Sequence, residues 1–148
     1  MAEVKELALD SSAVLRWLLQ GQRWQVVDRL VQSDVVDLVL PGPVLTEVIA
    51  HAPVKGNVST PTQLRTALTV AGMRVEPATA DDLQEAGELL TMSRAHHQQH
   101  NDREHSLSLG DSLVLAVTAR LGCPIVTSDR HWTWLADQGL LPVKIHQL

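Results

Sequence analysis

Five short runs of apolar residues recur along the chain, and residues that favour turns bound each run. The first run ends before Asp10-Ser11-Ser12, and the second ends before Pro41-Gly42-Pro43. Short runs of this kind are typical of strands that are buried on both faces of a parallel sheet. The pattern therefore predicts strands over residues 6–9, 37–40, 73–76, 124–127 and 142–145.

The segments between these runs place apolar residues three and four positions apart, which is the spacing of one helix face. Pro43 stands at the first turn of one such segment, where proline is favourable. Ser11 or Ser12 is expected to cap the first helix, and Gly122 and Gly139 are expected to end the last two. The pattern predicts helices over residues 13–20, 24–31, 43–49, 60–71, 79 to about 98, 108–121 and 130–138.

Strands that alternate with helices predict a parallel sheet with right-handed crossovers. The chain has 148 residues, a length typical of one domain, and contains no internal repeat, low-complexity tract or linker. We therefore expect residues 1–148 to form a single α/β domain. Its central parallel sheet should have about five strands flanked by helices, in an order that the pattern leaves open.

Composition narrows the class of protein. Hydrophobic residues make up 45% of the chain and charged residues 20%, which is typical of a globular protein. Four Trp but no Phe or Tyr are present, so Leu, Val, Ala and Ile must supply most of the core. The lone Cys123 excludes an internal disulfide and a cysteine-based zinc cluster. Because the sequence shows no membrane-spanning run and no secretory signal, we expect a cytoplasmic protein without a membrane partner.

The chain is acidic, with a formal net charge of −5 and a sequence pI of about 5.7. Proteins that hold nucleic acid over a broad face are usually basic, because contact with phosphates depends on Lys and Arg. The acidic balance argues against such a face. It is compatible with an enzyme whose carboxylates bind divalent cations, because those cations make the working site positive.

Four acidic residues fall near the ends of predicted strands. Asp10 directly follows the first strand, and Asp129 comes after the strand over residues 124–127. Glu47 lies in the helix after the second strand, and Asp111 lies near the start of the helix before the fourth. Ligands of open α/β sheets bind at the carboxyl ends of the strands, so we expect the four side chains to project toward that edge.

Carboxylates that share a small space repel each other and destabilise a fold unless they are neutralised. Divalent cations with oxygen ligands neutralise them near neutral pH, so the four residues predict a site for Mg²⁺ or Mn²⁺. Each residue alone also has a structural interpretation, because an acid at a helix N-terminus caps the helix or complements its dipole. Ser108, for example, could cap a helix in which Asp111 merely lies in the first turn. Both interpretations stay open at this point.

Four short motifs follow one another along the chain: Leu9-Asp10-Ser11-Ser12-Ala13, Leu45-Thr46-Glu47-Val48, Leu109-Gly110-Asp111-Ser112-Leu113-Val114-Leu115-Ala116 and Thr127-Ser128-Asp129-Arg130-His131-Trp132. None is specific alone, but their order, their intervals and the chain length form a strong pattern. In this pattern the chain resembles the PIN-domain ribonucleases, and among them the VapC-like toxins of bacterial toxin–antitoxin pairs. The resemblance covers nearly the whole chain and implies a PIN-like three-layer fold.

The resemblance implies a metal-dependent endoribonuclease that hydrolyses RNA phosphodiester bonds with metal-activated water. It implies that Thr127 holds the site by hydrogen bonding and that Trp132, where the family commonly has Phe, has a packing role. A cognate antitoxin and a second copy of the chain, in a homodimer, are the implied protein partners. The implied catalytic residues, which would bind Mg²⁺ or Mn²⁺, are Asp10, Glu47, Asp111 and Asp129.

Three neighbours of these acids are further site candidates. Ser11 and His131 are expected to support the site, and Arg130, beside Asp129, to contact a substrate phosphate. His131 departs from the family pattern, because many relatives carry another acid there. The polar stretch over residues 96–105 is longer than the resemblance implies. It is interpreted either as a surface for substrate or partner, or as an exposed helix end and loop.

Several other features have two interpretations each. His96 and His100 have the spacing of some zinc ligands, although a solvated surface is favoured. Apolar residues of the first two helices form either a groove for an antitoxin helix or part of the core: Val14, Trp17, Leu18, Trp24 and Val27. Further cations could contact phosphate, although each alone is more simply a surface charge: Arg16, Arg23, Lys55, Arg65 and Arg120.

Two other classes of α/β protein fit the sequence less well. A haloacid-dehalogenase-like phosphatase needs a second acid where Ser12 stands, and a response-regulator receiver needs an acidic pair at the first strand and a late Lys. A catalytically inactive PIN-like domain that binds RNA or protein is the alternative to the nuclease. The presence of all four acids favours the nuclease.

Overall fold

The structure, a computed structural model, describes residues 3–100 and 103–148. Its helices are α1 (Ser11–Leu18), α2 (Trp24–Val31), α3 (Gly42–His51), α4 (Pro61–Val70), α5 (Ala80–Ala95), α6 (Leu109–Leu121) and α7 (Arg130–Asp137). Its strands are β1 (Lys5–Leu9), β2 (Val36–Pro41), β3 (Arg74–Glu76), β4 (Gln98–His100), β5 (Arg103–His105), β6 (Ile125–Thr127) and β7 (Ile145–Gln147).

Five of the strands form one parallel sheet in the order β3-β2-β1-β6-β7. The first strand of the chain therefore lies at the centre, between β2 and β6. Strands β4 and β5 form a separate antiparallel pair. The predicted α/β class, with a central parallel sheet flanked by helices, is confirmed. The sheet order also brings the carboxyl ends of β1, β2 and β6 side by side.

The central strands consist of small and branched aliphatic residues. Ala8, Leu9, Val39 and Leu40 have no exposed surface. Burial on both faces of the sheet accounts for the continuous apolar runs in these strands. Trp132 of α7 is also fully buried, which confirms its predicted packing role. In a chain without Phe or Tyr, this indole supplies aromatic volume to the core.

Three helices begin with a capping box, in which two side chains each accept a hydrogen bond from the other residue's backbone N–H. The pairs are Thr60–Gln63, Thr79–Asp82 and Ser108–Asp111. Gly122 ends α6 with a φ of 69°, and Gly139 follows α7 with a φ of 73°, so both predicted helix ends are confirmed. Within the described ranges, no helix is long and apolar enough to cross a membrane.

Two predicted elements differ most from the structure. Helix α5 ends at Ala95 rather than near residue 98, because the polar residues beyond it pair as the strands β4 and β5. His96 therefore follows the helix and His100 lies in a strand, so the two do not share a helical turn. The last strand spans residues 145–147 rather than 142–145. Its register is set by backbone hydrogen bonds to β6 and not by the apolar Pro142-Val143 pair that suggested the earlier start.

Ion pairs join the N-terminal turn of α5 to α6 and to the edge of the sheet. The Nε of Arg120 donates to both carboxylate oxygens of Asp82 at 3.0 Å, and its Nη1 donates to Glu76 Oε1 at 3.0 Å. Arg74 donates to Glu76 and to Glu6. Because two acidic residues hold Arg120 in this network, the structure favours a structural role for Arg120 over the phosphate contact considered for it.

Ser93 of α5 holds the segment that enters α6. Its side chain is fully buried, and its Oγ accepts a hydrogen bond from the backbone N–H of Leu107 at 2.8 Å. Leu107 is itself buried, so this N–H has no access to water. The contact fixes the chain just ahead of Ser108, the residue that caps α6.

We expect Ser93→Ala to lower the free energy of unfolding by about 1–3 kcal/mol, because it leaves the buried N–H of Leu107 without an acceptor. Urea denaturation followed by circular dichroism measures the change. Ser106→Ala is the matched control, since Ser106 is exposed in the same segment. Equal stabilities of the two variants would contradict the role given to Ser93.

Candidate active site

The four candidate carboxylates come from four parts of the chain and meet at the carboxyl edge of the sheet. Asp10 follows β1, Asp129 follows the neighbouring β6, Glu47 lies in α3 after β2, and Asp111 lies in the first turn of α6. Burial raises the pKa values of Asp10 and Asp111, and nearby carboxylates add to both rises. Asp111 and Glu47 act on Asp10, and Asp129 and Glu47 act on Asp111. The structure thus brings the four residues into one electrostatic environment.

Asp10 is the most buried of the four, with 6% of its surface exposed. Its Oδ2 accepts hydrogen bonds from Thr127 Oγ1 at 2.8 Å and from Ser12 Oγ at 3.2 Å. Burial raises the pKa of Asp10 to about 6, although the hydrogen bonds from Thr127 and from the Ser11 backbone oppose this rise. At neutral pH, Asp10 is therefore a carboxylate in surroundings that disfavour its charge.

Glu47 comes close to α6 because the residue that faces it there has no side chain. Ser11 Oγ donates to Glu47 Oε2 at 2.7 Å. A Cβ placed on Gly110 would lie 2.8 Å from Glu47 Oε1, well inside van der Waals contact. Any side chain at position 110 must therefore displace the Glu47 carboxylate. Gly110 is part of the site for this reason.

Two of the carboxylates also cap helices, as the structural interpretation expected. Asp111 Oδ2 accepts a hydrogen bond from the backbone N–H of Ser108 at 3.0 Å. Asp129 flanks α7, and its Oδ1 accepts from the backbone N–H of His131 at 2.9 Å. Each of these caps uses one carboxylate oxygen. Capping and ligand binding are therefore compatible roles for the same side chain.

Thr127 connects two of the carboxylates. It is fully buried at the end of β6. Its Oγ1 donates to Asp10 Oδ2 at 2.8 Å and accepts from the backbone N–H of Asp129 at 3.1 Å. A hydroxyl that donates to one carboxylate and accepts from the backbone of the other fixes their relative positions, which is the geometry expected of a supporting residue.

The prediction that Ser11 or Ser12 caps α1 is wrong. The helix begins at Ser11, and no side chain caps it. Ser11 instead donates to Glu47, and Ser12 donates to Asp10 while accepting from the backbone N–H of Ser128 at 3.1 Å. Both hydroxyls are used by residues outside the helix, so they belong to the site and not to the helix end.

His131 is buried beside Asp129, and its ring packs against other rings. It is 7% exposed, and its ring centroid is 5.9 Å from those of His105 and Trp134, nearly parallel to the Trp134 ring. Burial lowers the pKa of His131, and Asp129 opposes that effect. A neutral, stacked imidazole is therefore expected near pH 7, which fits a packing role. Arg130, by contrast, is exposed at the first position of α7.

The chemistry of the four carboxylates bears on whether the site fits a metal ion. In the part of the chain that the structure describes, no three Asp, Glu, His or Cys side chains stand as ready ligands of one ion. Hydroxyl and amide donors hold the carboxylate oxygens in their present directions. Four carboxylates suit a hard divalent cation, and burial disfavours the charge of one of them, Asp10, when no cation is bound. The chemistry of these residues therefore fits Mg²⁺ or Mn²⁺.

A cleft of about 380 Å³ adjoins the carboxylates between α1 and α3. Glu47 lines it together with Ser11, Ser12 and Ser128. The rest of its lining consists of cationic, imidazole and apolar groups with one glycine: Arg16, Lys55, His51, Leu15, Leu19 and Gly21. The candidate site is thus open to a ligand on this side.

Three residues of the site were missed in the sequence, although two of them carried a signal. Gly110 occupies the second position of a helix, where glycine is unfavourable without a specific reason. His51 follows Glu47 by four residues, so both lie on one face of α3. Ser12 had a plausible local role as a cap, and nothing local indicated its contact with Ser128.

Known proteins share this architecture. The sequence profile of the PIN domain matches residues 7–137, and no curated protein sequence matches the chain. VapC20 of Mycobacterium tuberculosis, a toxin that cleaves the sarcin-ricin loop, has a TM-score of 0.65 and 21% identity, covering 93% of this chain and 98% of its own. FitAcB of Neisseria gonorrhoeae has a TM-score of 0.66 and 15% identity, covering 95% and 96%. VapBC-1 of nontypeable Haemophilus influenzae has a TM-score of 0.63 and 14% identity, and the match covers 96% of this chain and 97% of its own.

At these identities the structural likeness shows the fold, an α/β architecture seen in structures of VapC and VapBC proteins. The profile match extends over most of the sequence, and the chain belongs to the PIN domain family. The predicted membership of the PIN domain family is therefore confirmed, and the chain shares its fold with VapC and VapBC proteins.

We expect Asp10→Asn to stabilise the protein at pH 7.5 in EDTA by about 1–3 kcal/mol, because the wild-type carboxylate is buried against its charge. A pKa raised to about 6 in the folded state means that wild-type stability falls as the pH rises from about 4 through 6. The advantage of the variant should therefore disappear near pH 4. Urea denaturation at several pH values measures it.

Asp34→Asn is the matched control for this experiment, since Asp34 is exposed in a turn. Its stability relative to the wild type should not change between pH 4 and 7.5 (about the span of the Asp10 titration). An Asp10→Asn protein that is unfolded, or whose pH profile is that of the wild type, would show that Asp10 is a structural residue without charge strain.

Proposed function

We propose that the chain is a metal-dependent endoribonuclease that acts as the toxin of a toxin–antitoxin pair. The observation that carries the proposal is the grouping of four carboxylates at the carboxyl edge of the sheet, with Asp10 buried at a pKa of about 6. Structural sites rarely gather like charges, whereas sites for divalent cations require them. Membership of the PIN domain family and the fold shared with a toxin that cleaves the sarcin-ricin loop support this interpretation.

In this proposal the scissile phosphate of RNA lies against the carboxylate edge. Activation of water and compensation of charge on the phosphate are the chemistry that Mg²⁺ or Mn²⁺ supplies when bound. Arg130, exposed beside Asp129, is placed to contact the substrate at the rim. The residues that would hold the cation are Asp10, Glu47, Asp111 and Asp129.

Neighbouring groups determine where each carboxylate lies. The hydroxyl of Thr127 orients Asp10, and that of Ser11 orients Glu47. Asp111 and Asp129 are held by the N-terminal turns of α6 and α7. Positioning of this kind matters because an error of about 1 Å in a catalytic group can reduce a rate about a hundredfold.

We expect Asp10→Asn and Asp111→Asn each to abolish cleavage of single-stranded RNA, because both remove a ligand charge while preserving shape. The assay uses the purified chain in Mn²⁺ or Mg²⁺, and EDTA should abolish wild-type cleavage. Asp34→Asn, purified in parallel, should cleave as the wild type does and excludes a contaminating ribonuclease. RNA that survives wild-type protein in both metals would contradict the proposal and favour an inactive RNA- or protein-binding module.

We expect Gly110→Ala to reduce cleavage about tenfold to a hundredfold without loss of stability, because the added methyl displaces Glu47. Gly87→Ala is the matched control, since a Cβ on Gly87 in α5 meets no atom within 4 Å. Both substitutions should stabilise their helices by up to about 1 kcal/mol. Equal cleavage rates for the two variants would contradict the positioning role of Gly110.

An antitoxin is part of the proposal, supported by the VapBC complexes that share the fold. Val14 and Val27 belong to the core, but Trp17, Leu18 and Trp24 stay partly exposed around a pocket of about 240 Å³. This pocket is the proposed binding site for a segment of the antitoxin. A homodimer and a cytoplasmic location complete the proposal, and sedimentation of the purified chain tests the dimer.

A further inference from the structure

The charge of the residues that line the cleft changes along both of its walls, α1 and α3. On α1 it passes from Ser11, beside the carboxylates, to Arg16 about one and a half turns later. On α3 it passes from Glu47 to His51, and Lys55 follows in the turn beyond the helix. One end of the cleft is therefore acidic and the other is cationic.

The spacing on the α3 wall is regular. Glu47, His51 and Lys55 are separated by four residues each, and the backbone N–H of Lys55 donates to the carbonyl of His51 at 3.2 Å. Side chains four residues apart on a helix lie about 6 Å from each other. The three side chains thus form a row that leads away from the carboxylates.

Arg16 is available to a ligand. It is partly buried, and it makes no side-chain hydrogen bond or ion pair within residues 3–100 and 103–148. Arg74 and Arg120, by contrast, are both held by acidic residues. A partly buried guanidinium without an acidic partner, at the wall of a cleft, is suited to bind an anion.

The floor between the two ends is apolar. Leu15 and Leu19 line it, and Gly21 closes it by donating its backbone N–H to the carbonyl of Arg16 at 2.8 Å. An unpaired nucleobase needs an apolar surface, while its phosphates need cations and hydroxyl donors. The cleft supplies each of these groups within about 380 Å³, a volume within the range of small-ligand sites.

We propose that Arg16, His51 and Lys55 form a subsite for the RNA phosphate next to the one at the carboxylates. The intervening nucleotide lies over Leu15 and Leu19. This inference rests on the proposed function and adds the direction in which the strand leaves the site. It also accounts for RNA binding by an acidic chain, because cations beside the four carboxylates offset their repulsion of the phosphate backbone.

An acidic peptide is the other polyanion that such a cleft could bind. RNA is favoured because the cleft leads directly to the carboxylates and because its hydroxyls and apolar floor match a nucleotide. A peptide carboxylate would use the cations alone. Competition by polyglutamate therefore separates the two ligands.

The test measures binding of a fluorescein-labelled single-stranded RNA to the full chain in EDTA, by anisotropy at several salt concentrations. Arg16→Gln and Lys55→Gln should each weaken binding about threefold to tenfold and reduce the slope of log K against log salt by about 0.7. Arg16→Lys, which keeps the charge, should retain the wild-type slope. Arg65→Gln is the matched control, since Arg65 is exposed on α4 outside the cleft.

The subsite would be overturned if Arg16→Gln kept the wild-type salt slope or lost no more RNA affinity than Arg65→Gln. It would also be overturned if polyglutamate competed as effectively as RNA. Urea denaturation checks that each variant folds. If Arg16→Gln does not fold, Lys55→Gln provides the test, because Lys55 is exposed. Because binding is measured without turnover, failure here is distinct from failure of the nuclease, which is read from cleavage in Mn²⁺.

Discussion

Repulsion among four carboxylates at one edge of the sheet has to be offset by the groups around them. Hydroxyls supply part of the compensation, because Thr127 and Ser12 donate to Asp10 and Ser11 donates to Glu47. Helix N-termini supply a further part, at the starts of α6 and α7. None of these groups carries a full positive charge. The environment therefore tolerates the carboxylates without neutralising them, which is the condition for a site that captures a cation.

Two capping boxes in the same chain show how context decides the chemistry of an acid. Asp82 and Asp111 occupy the same position in the capping boxes of α5 and α6. At Asp82, burial raises the pKa, but hydrogen bonds from Thr79 and Arg120 outweigh it and the pKa is lowered. At Asp111, burial and neighbouring carboxylates raise the pKa. The first acid completes a structural ion pair, and the second is left for a ligand.

Local patterns predicted most of the fold, and long-range contacts explain what they missed. The buried strands around Leu9 and Leu40 were predicted because burial on both faces requires continuous apolar runs. The β4–β5 pair was missed because its polar residues show no strand alternation, and β7 was misplaced because pairing with β6 sets its register. The grouping of the acids followed from the strand ends. A supporting role was predicted for Ser11, but its partner Glu47 and the contact of Ser12 with Ser128 were not, since these partners are distant in sequence.

In the proposed site, burial disfavours the charged form of the Asp10 carboxylate until a divalent cation binds. A ¹³C NMR titration of the Asp10 side-chain carboxyl in EDTA measures this directly. The expected result is a pKa of about 6, and a fall in that pKa when Mg²⁺ is added in excess of the chelator. A pKa near the ordinary value of about 3.9 that does not respond to Mg²⁺ would contradict it.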